Sequence, residues 1–341
     1  MIKNSSILVV IFFLFLISFR IAFDFLNGIE YHYDEAQYWV WSQNPSLSYL
    51  TKGPFVASII SISNSIFGQS YLGLKFFSLL AYIGTIIFIS YSSIALNKDK
   101  NIGTTALLVT GFSPALFFLG GIASTDTYLF FFWSLTLYGY IKFTLNKDIR
   151  WFYFIALATG LGLLTKLSMA LLPMSILIYF LFTDYRKYFY SIHLYFSAIL
   201  AILIASPIII WNIDNDWLTL SHEMGHLVSG APSNNPEILL ITMIVTVPSV
   251  LLLFKRDIRA KVFSKENSFL LIPFLIMFSF FVLKSFSGKI QLNWTIPLFL
   301  TLIPVLSNAV NNRTKSVIAL SFFILSPIFL LSNKQISSLF S

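Results

Sequence analysis

The chain has 341 residues, of which 57% are hydrophobic and 11% are charged, with 22 Lys and Arg against 14 Asp and Glu and no cysteine. A soluble domain carries about 25% charged residues, so this composition excludes a water-soluble globular protein. The lack of cysteine excludes disulfides, thiolate zinc sites and iron–sulfur clusters. The formal charge of +8 is scattered over short connections, which favours membrane orientation over nucleic-acid binding as its explanation.

Apolar runs of about 20 residues recur along the chain, and each can cross ~30 Å of hydrocarbon as a helix. They predict an all-α polytopic membrane protein with about eleven spans. The first run, 7–25, has no small-residue cleavage site and is predicted to be retained, with the N-terminus in the cytoplasm. The later runs lie near 72–96, 102–120, 127–145, 151–166, 168–183, 189–211, 237–254, 268–286, 292–310 and 316–332.

Charge divides the connections between these runs into two kinds. Two longer segments, 27–71 and 211–236, carry aromatic and acidic residues and are predicted to face outward, away from the cytoplasm. We therefore expect one transmembrane domain over 1–341, without a separate soluble domain, whose chemistry faces outward. The remaining connections are short and basic, which places them in the cytoplasm: 97–101, 146–150, 184–187, 255–267 and 311–315.

Asp34 and Glu35 are adjacent carboxylates in the first outer loop, where the absence of Gly and Pro between Glu35 and Gln43 permits a short interfacial helix. Neighbours on a helix point about 100° apart, so the two acids cannot share one task. A carboxylate at the membrane boundary can take a proton from an attacking hydroxyl if its pKa lies near the working pH. Acids also favour a helix N-terminus through the macrodipole, and the sequence leaves both explanations open.

Three further charged residues lie in or beside apolar runs. Lys52 precedes a Gly-Pro turn, where its ammonium suits a lipid phosphate, although ordinary snorkelling explains it equally. Asp126 and Lys166 each lie in a tight turn between two predicted spans. An ion at full bilayer depth costs about 2.5–3.5 kcal/mol, so each should reach the interface or find a partner in a wet cavity. We expect Asp126 and Lys166 to converge on one pocket.

The segment His222-Glu223-Met224-Gly225-His226 matches the H-E-x-x-H pattern of zinc peptidases. Gly225 weakens a helix there, and no clear third ligand follows apart from the weak candidate Glu237. The metal interpretation is therefore secondary for His222, Glu223 and His226. The favoured interpretation is that the histidines contact a substrate or lipid.

Asn293 and Trp294 open the span that begins at 292, on the outer side. Together they can hydrogen-bond and stack against a sugar, while a membrane-interface belt is the competing explanation for the tryptophan. Tyr33 and Tyr49 of the first outer loop are further candidate substrate contacts.

Several short motifs follow one another over most of the chain: Tyr33-Asp34-Glu35-Ala36-Gln37-Tyr38-Trp39, Tyr49-Leu50-Thr51-Lys52-Gly53-Pro54, Thr125-Asp126-Thr127-Tyr128-Leu129, Leu164-Thr165-Lys166, Trp211-Asn212, Asp216-Trp217 and Asn293-Trp294. In this order they resemble the bacterial membrane glycosyltransferases of the GT-C type. The resemblance is to the protein-mannosyltransferase and aminoarabinose-transferase group, with its ArnT-like and Rgt-like members.

The resemblance implies a bundle of spans whose first outer loop holds membrane-parallel helices and the catalytic carboxylate. Asp34 would activate the acceptor with support from Glu35, and Lys52 would lie near the donor phosphate. Lys166 would help to pair the phosphate, and Asp126 would orient it. The family often has Lys-Pro-Pro where this chain has Lys52-Gly53-Pro54, so we expect a looser loop here.

The resemblance also implies a sugar donor carried on polyprenyl phosphate and a lipid, polysaccharide or protein acceptor, with inversion at the anomeric carbon. It requires no cofactor, and no ligand set in the sequence supports a divalent metal. The expected partners are the donor, the acceptor and membrane lipids, without nucleic acid. Two alternatives remain, a transporter or flippase of lipid-linked sugars and an intramembrane zinc peptidase. The short cytoplasmic loops disfavour the transporter.

Overall fold

The computed structural model describes residues 2–26, 32–228, 237–247, 250, 253–287, 290–311 and the single positions 315, 318 and 322. Every regular element in these ranges is helical, as the composition predicted. The α-helices are α1 (Ile2–Leu26), α2 (Tyr33–Gln43), α3 (Phe55–Phe67), α4 (Tyr71–Asn97), α5 (Lys100–Gly111), α6 (Pro114–Gly120), α7 (Thr125–Asn146), α8 (Arg150–Leu163), α9 (Leu171–Leu181), α10 (Ile192–Asp214), α11 (Leu218–Val228), α12 (Glu237–Thr246), α13 (Arg256–Val262), α14 (Ser268–Ser287), α15 (Leu292–Leu300) and α16 (Ile303–Leu306).

Within the described part of the chain, four helices are long and apolar enough to cross a membrane: Leu8–Leu26, Tyr71–Asn97, Ile192–Asp214 and Lys265–Phe286. Two bent pairs bring the number to six if each is one span, namely Lys100–Gly111 with Pro114–Gly120 and Leu167–Leu181 with Asp184–Tyr190. A multi-pass membrane protein is therefore supported, while the expected count of about eleven spans stays a prediction. The last expected span, 316–332, lies outside the described residues except at 318 and 322.

Helix breaks inside apolar runs explain why fewer long helices form than the hydropathy pattern suggests. The run 102–120 bends by 66° between α5 and α6. Pro114 starts α6, and the Ser113 hydroxyl accepts a hydrogen bond from the Leu116 N–H at 3.4 Å, so a new helix is capped where the old one ends. Because proline lacks an N–H and crowds the preceding turn, it cannot continue α5. Hydropathy does not register such breaks.

Helix α7 forms the centre of the bundle and packs on α4, α8 and α15. Most of its side chains are buried, and the partly buried ones follow one stripe at helical spacing: Phe131, Leu135, Tyr138 and Lys142. Two of its buried aromatic residues, Trp133 and Tyr140, bond through their polar atoms to neighbouring segments. The Trp133 indole donates to the Thr301 hydroxyl at 3.2 Å, and the Tyr140 hydroxyl donates to the Phe269 carbonyl at 2.8 Å.

The bundle has two distinct ends. Glu35 contacts both Lys75, in the first turns of α4, and Ala123, just before α7, so α4 and α7 begin at the same end, here called the site end. The other end, where α4 finishes at Asn97 and α7 finishes at Asn146, is here called the basic end. At 1.5 Å per residue, the 22 residues of α7 separate the two ends by about 33 Å.

Candidate active site

The two adjacent acids of the segment 27–71 lie in the first turn of α2, which confirms the helix expected up to Gln43. His32 caps this helix. Its side chain accepts a hydrogen bond from the Asp34 N–H at 3.3 Å, and the Glu35 carboxylate accepts one from the His32 N–H at 3.1 Å. This reciprocal capping box fixes the backbone of both acids and sends their side chains in different directions.

Glu35 points into the protein, where its side chain is 1% exposed. Its Oε1 accepts a hydrogen bond from the Ala123 N–H at 2.7 Å and lies 2.7 Å from the Lys75 ammonium. Lys75 also donates to the Gly121 carbonyl at 3.0 Å. Both oxygens of Glu35 are thus engaged by protein groups, one here and one in the cap of α2.

A second ion pair, Arg20–Asp24, adjoins the Glu35–Lys75 pair. The sequence patterns assigned no role to it. Asp24 lies 3.8 Å from Lys75 and 3.1 Å from Arg20, and it accepts a hydrogen bond from the Tyr71 hydroxyl at 2.8 Å. The network ties the end of α1 to the start of α4. Two signals could have revealed it: the i, i+4 spacing of Arg20 and Asp24, and the rule that charges in apolar helices find partners.

Asp34 points the other way, and its side chain is 28% exposed. Burial raises the pKa of the Asp34 carboxyl above its ordinary value. The charges of His32, Lys52 and Lys166 lower this pKa, while the charge of Asp126 raises it further. Asp34 is therefore the partly accessible carboxylate of the two, and it lies within the electrostatic reach of both lysines predicted to bind phosphate.

Asp126 and Lys166 meet, which confirms their expected convergence. The Lys166 ammonium donates to Asp126 Oδ1 at 2.8 Å, and the Asn293 amide donates to Oδ2 of the same carboxylate at 2.7 Å. These contacts join the start of α7, the turn after α8 and the start of α15. The Asn293 Oδ1 is buried and has no hydrogen-bond partner in the described part of the chain.

The loop that carries Lys52 packs tightly against the turn that carries Lys166. The Phe55 N–H donates to the Leu164 carbonyl at 3.2 Å. A Cβ at Gly53 would lie only 2.1 Å from that carbonyl oxygen, so only glycine allows the two backbones to approach this closely. The expectation of a looser loop at Lys52-Gly53-Pro54 was therefore wrong, because the glycine serves a close contact.

Helix α11, in the segment 211–236, packs on the loop around Tyr49. The Thr219 hydroxyl of α11 donates to the Tyr49 carbonyl at 3.1 Å, and the Tyr49 ring stacks on Trp41 with centroids 4.2 Å apart. His222 lies on the same helix, three residues after Thr219, which places it near this loop. Tyr33 is exposed and packs on the His32 ring.

The H-E-x-x-H segment is helical despite Gly225, because α11 runs through Leu218–Val228. Among the described residues, no group of three or more His, Cys, Asp or Glu side chains could hold a metal ion. The side chains of Glu223 and His226 lie outside the described residues.

A family model described as dolichyl-phosphate-mannose-protein mannosyltransferase matches residues 51–211. The chain is 25% identical to the lipid A galacturonosyltransferase RgtD of Rhizobium johnstonii over 206 residues, which cover 58% of this chain and 41% of that protein. It is 26% identical to an uncharacterized protein of Aquifex aeolicus over 157 residues, 46% of this chain and 32% of that protein. The matches thus span less than half the length of these relatives.

The fold is similar to that of ArnT from Cupriavidus metallidurans. The apo crystal structure superimposes with a TM-score of 0.71 over 96% of this chain and 65% of that one, at 16% identity. The structure of the same protein bound to undecaprenyl phosphate gives a TM-score of 0.69 over 94% of this chain and 64% of that one, at 16% identity. In motif order, family model and fold, the chain resembles the ArnT-like glycosyltransferases of the GT-C type, as its sequence predicted.

Proposed function

We propose that the chain is an inner-membrane glycosyltransferase that moves a sugar from a polyprenyl-phosphate carrier to an acceptor outside the cytoplasm. The observation that supports it best is that one partly exposed carboxylate, Asp34, lies within the electrostatic reach of Lys52 and Lys166. RgtD is a galacturonosyltransferase by name, the matching family model describes mannosyltransferases, and the ArnT structure with undecaprenyl phosphate indicates the class of carrier. A donor of this kind suits a site at the membrane surface, because its lipid tail stays in the bilayer.

In this proposal Asp34 is the general base. The acceptor hydroxyl oxygen attacks the anomeric carbon while its proton passes to the Asp34 carboxylate. The bond between the anomeric carbon and the phosphate oxygen breaks, and its electron pair leaves with the phosphate. A raised pKa makes Asp34 a stronger base than an ordinary aspartate, provided that it is ionised at the working pH. A single displacement of this kind inverts the configuration.

Lysines supply the charge that the leaving phosphate needs. Lys52 is half-buried on a loop held against the turn before Lys166, so both cations are fixed relative to Asp34. We assign phosphate contacts to both Lys52 and Lys166, and Lys166 keeps its ion pair with Asp126. Preorganised charges of this kind stabilise a developing anion without reorganisation.

The neighbouring groups position the substrates. Glu35, first considered as a catalytic partner, holds α2 in place through Lys75 and thereby orients Asp34. The Asn293 side-chain NH2 group donates to Asp126, and its buried Oδ1 has no partner among the described residues. This oxygen can therefore accept a hydrogen bond from a sugar hydroxyl. The remaining proposed contacts with sugar or acceptor are aromatic or imidazole side chains around the same end: Tyr33, Tyr49, His222 and Trp294.

The proposed orientation places the site end outside and the N-terminus in the cytoplasm, because the short basic connections gather at the basic end. A flippase would need a polar path between the ends. The buried aromatic side chains of α7, including Phe130, Trp133 and Phe143, occupy the centre of the bundle instead. We therefore favour group transfer over transport.

The test uses the purified protein in lipid nanodiscs with a panel of polyprenyl-phosphate sugars, and it measures loss of the sugar from each donor. We expect Asp34→Asn to lower turnover by at least about 100-fold, as loss of a general base typically does. Turnover of the parent should rise as the pH increases through the raised pKa of Asp34. The residual turnover of Asp34→Asn should lack this dependence.

Asp216→Asn is the matched control. Asp216 is an exposed aspartate at the same end of the bundle, and its φ of 51° suits asparagine equally well. This variant should keep the turnover of the parent. If the parent protein uses at least one of the donors and Asp34→Asn turns it over as fast as Asp216→Asn, Asp34 has no part in the mechanism.

A further inference from the structure

A polar cavity lies at the basic end of the bundle, far from the candidate active site. Its volume is about 600 Å³, within the roughly 300–1,000 Å³ of typical ligand sites. The walls are the ends of α4 and α7, the segment that follows α13, and the turn after α16. No step of the proposed transfer reaction uses it, because about 33 Å of α7 separates it from Asp34.

The rim of this cavity is basic. Lys98, Lys261 and Lys265 line it, against the single acid Glu266. All three lysines are exposed, and none of them forms a salt bridge with another described residue. Three cations around one cavity attract an anion, and an ammonium group is a good partner for phosphate oxygens.

The walls are held by side-chain amides. The Asn97 amide donates to the Pro304 carbonyl at 3.1 Å, which fixes the end of α4 to α16. The Asn267 amide donates to the carbonyls of Lys261 and Val262 at 3.2 and 3.1 Å, which fixes the segment after α13. The cavity is therefore already formed in the free protein, and a ligand does not have to order its walls.

The inner lining is apolar. Leu96, Leu145, Phe269 and Val305 line the cavity together with the polar rim. A free inorganic anion gains no binding energy from contact with this apolar surface. A molecule with a phosphate group at one end and a hydrocarbon part beside it satisfies both the rim and the lining.

The segment around α13 has the character of a membrane surface. Phe254 and Phe263 flank this short helix with exposed fractions of 84% and 49%. Lys255, Arg256 and Arg259 lie between them. Exposed aromatic rings that flank a run of cations are typical of segments that lie at the headgroup level of an anionic membrane, so the cavity opens where phospholipid headgroups are found.

We propose that this basic cavity binds the phosphate-bearing headgroup of an anionic phospholipid, with Lys98, Lys261 and Lys265 as the phosphate contacts. Basic pockets between membrane helices are suited to such headgroups. Each lysine near the headgroup contributes about a fivefold increase in affinity, so removal of all three should weaken binding on the order of 100-fold.

The test uses the purified, delipidated full-length chain in a neutral detergent and titrates it with fluorescent phosphatidylglycerol. Phosphatidylcholine and inorganic phosphate serve as competitors. We expect phosphatidylglycerol to bind, and unlabelled phosphatidylglycerol to displace it at least about tenfold better than phosphatidylcholine. Displacement by inorganic phosphate at the same concentrations as the lipid would overturn the proposal in favour of a site for soluble anions.

The decisive variant is K98Q/K261Q/K265Q, for which we expect the loss on the order of 100-fold. Its control is K100Q/R186Q/K187Q, which removes the same charge from exposed residues at the same end but outside the cavity. The control should weaken binding by less than about fivefold. Equal loss in both variants, or unchanged binding in the first, would show that the cavity is not the site.

Thermal unfolding without lipid checks that each variant is folded. If the triple variant is unfolded, the single variants K261Q and K265Q replace it, because both residues are exposed and their loss leaves no buried charge. Each should weaken phosphatidylglycerol binding about fivefold. Parent-like affinity in both single variants would overturn the proposal.

Discussion

At the residue scale, two adjacent acids of the same chemistry have opposite environments. Glu35 is buried and bound to Lys75 and a backbone N–H, whereas Asp34 is partly exposed and lies among several charges. The sequence predicted that the two must point apart, because helix geometry requires it. It could not predict which of them faces inward, because that depends on Lys75, 40 positions along the chain.

The buried pair predicts a stability effect at this scale. Lys75→Gln leaves the Glu35 carboxylate buried without its cation, which should destabilise the protein by about 3–5 kcal/mol. In E35Q/K75Q no charge is left behind, so the double variant should be more stable than Lys75→Gln alone. Thermal unfolding in detergent measures the differences, with the exposed Lys100→Gln as the control. A melting temperature of Lys75→Gln equal to that of Lys100→Gln would contradict the role given to the pair.

At the element scale, the position of the Lys52 loop depends on a close contact between two backbones as well as on the side-chain contacts around Tyr49. Gly53 allows the loop to lie against the turn after α8, which also carries Lys166. From the sequence, replacement of a proline by glycine suggested flexibility, because glycine relaxes an isolated chain. The contact with Leu164 comes from a residue more than 100 positions away and is invisible to local pattern.

Gly53→Ala is expected to separate the two lysine-bearing turns. Its Cβ would lie 2.1 Å from the Leu164 carbonyl oxygen, so the backbone must shift by an ångström or more. A misplacement of about 1 Å can cost 100-fold in rate, and we expect kcat/KM to fall by that order. Turnover of a polyprenyl-phosphate sugar measures it.

Gly139→Ala provides the comparison for this prediction. Its Cβ would meet the Phe154 ring, a side chain that can move, in the middle of α7 and away from the site. It should leave kcat/KM within about threefold of the parent, since a small adjustment of a ring does not reach the loop. Equal losses in both glycine variants would argue against a special role for Gly53.

At the scale of the whole molecule, the ends of the bundle differ in chemistry. Asp34, Lys52, Asp126 and Lys166 lie at the site end, while the short cationic connections and the basic cavity lie at the basic end. Charge asymmetry of this kind follows the positive-inside rule, which concerns the charge of loops and applies to a sequence directly.

Single-cysteine labelling tests the proposed orientation without background, because the chain has no cysteine of its own. Ser46→Cys places a thiol at an exposed position of the site end, and Asn146→Cys places one at the basic end. In intact spheroplasts, a membrane-impermeant maleimide should label Ser46→Cys and leave Asn146→Cys unlabelled until the membrane is permeabilised. The opposite pattern would place the site in the cytoplasm and refute a donor delivered from outside.

The sequence by itself determined the membrane class, the all-helical fold, the family resemblance and the residue types of the site. These follow from composition, run length and short motifs, which are local properties of the chain. Only the tertiary structure decided that Asp34 rather than Glu35 is accessible, that Asp126 is shared by Lys166 and Asn293, and that Gly53 serves a close packing contact. The physical reason is that burial and pairing depend on groups brought together from α4, α7, α8 and α15, and no local pattern encodes those distances.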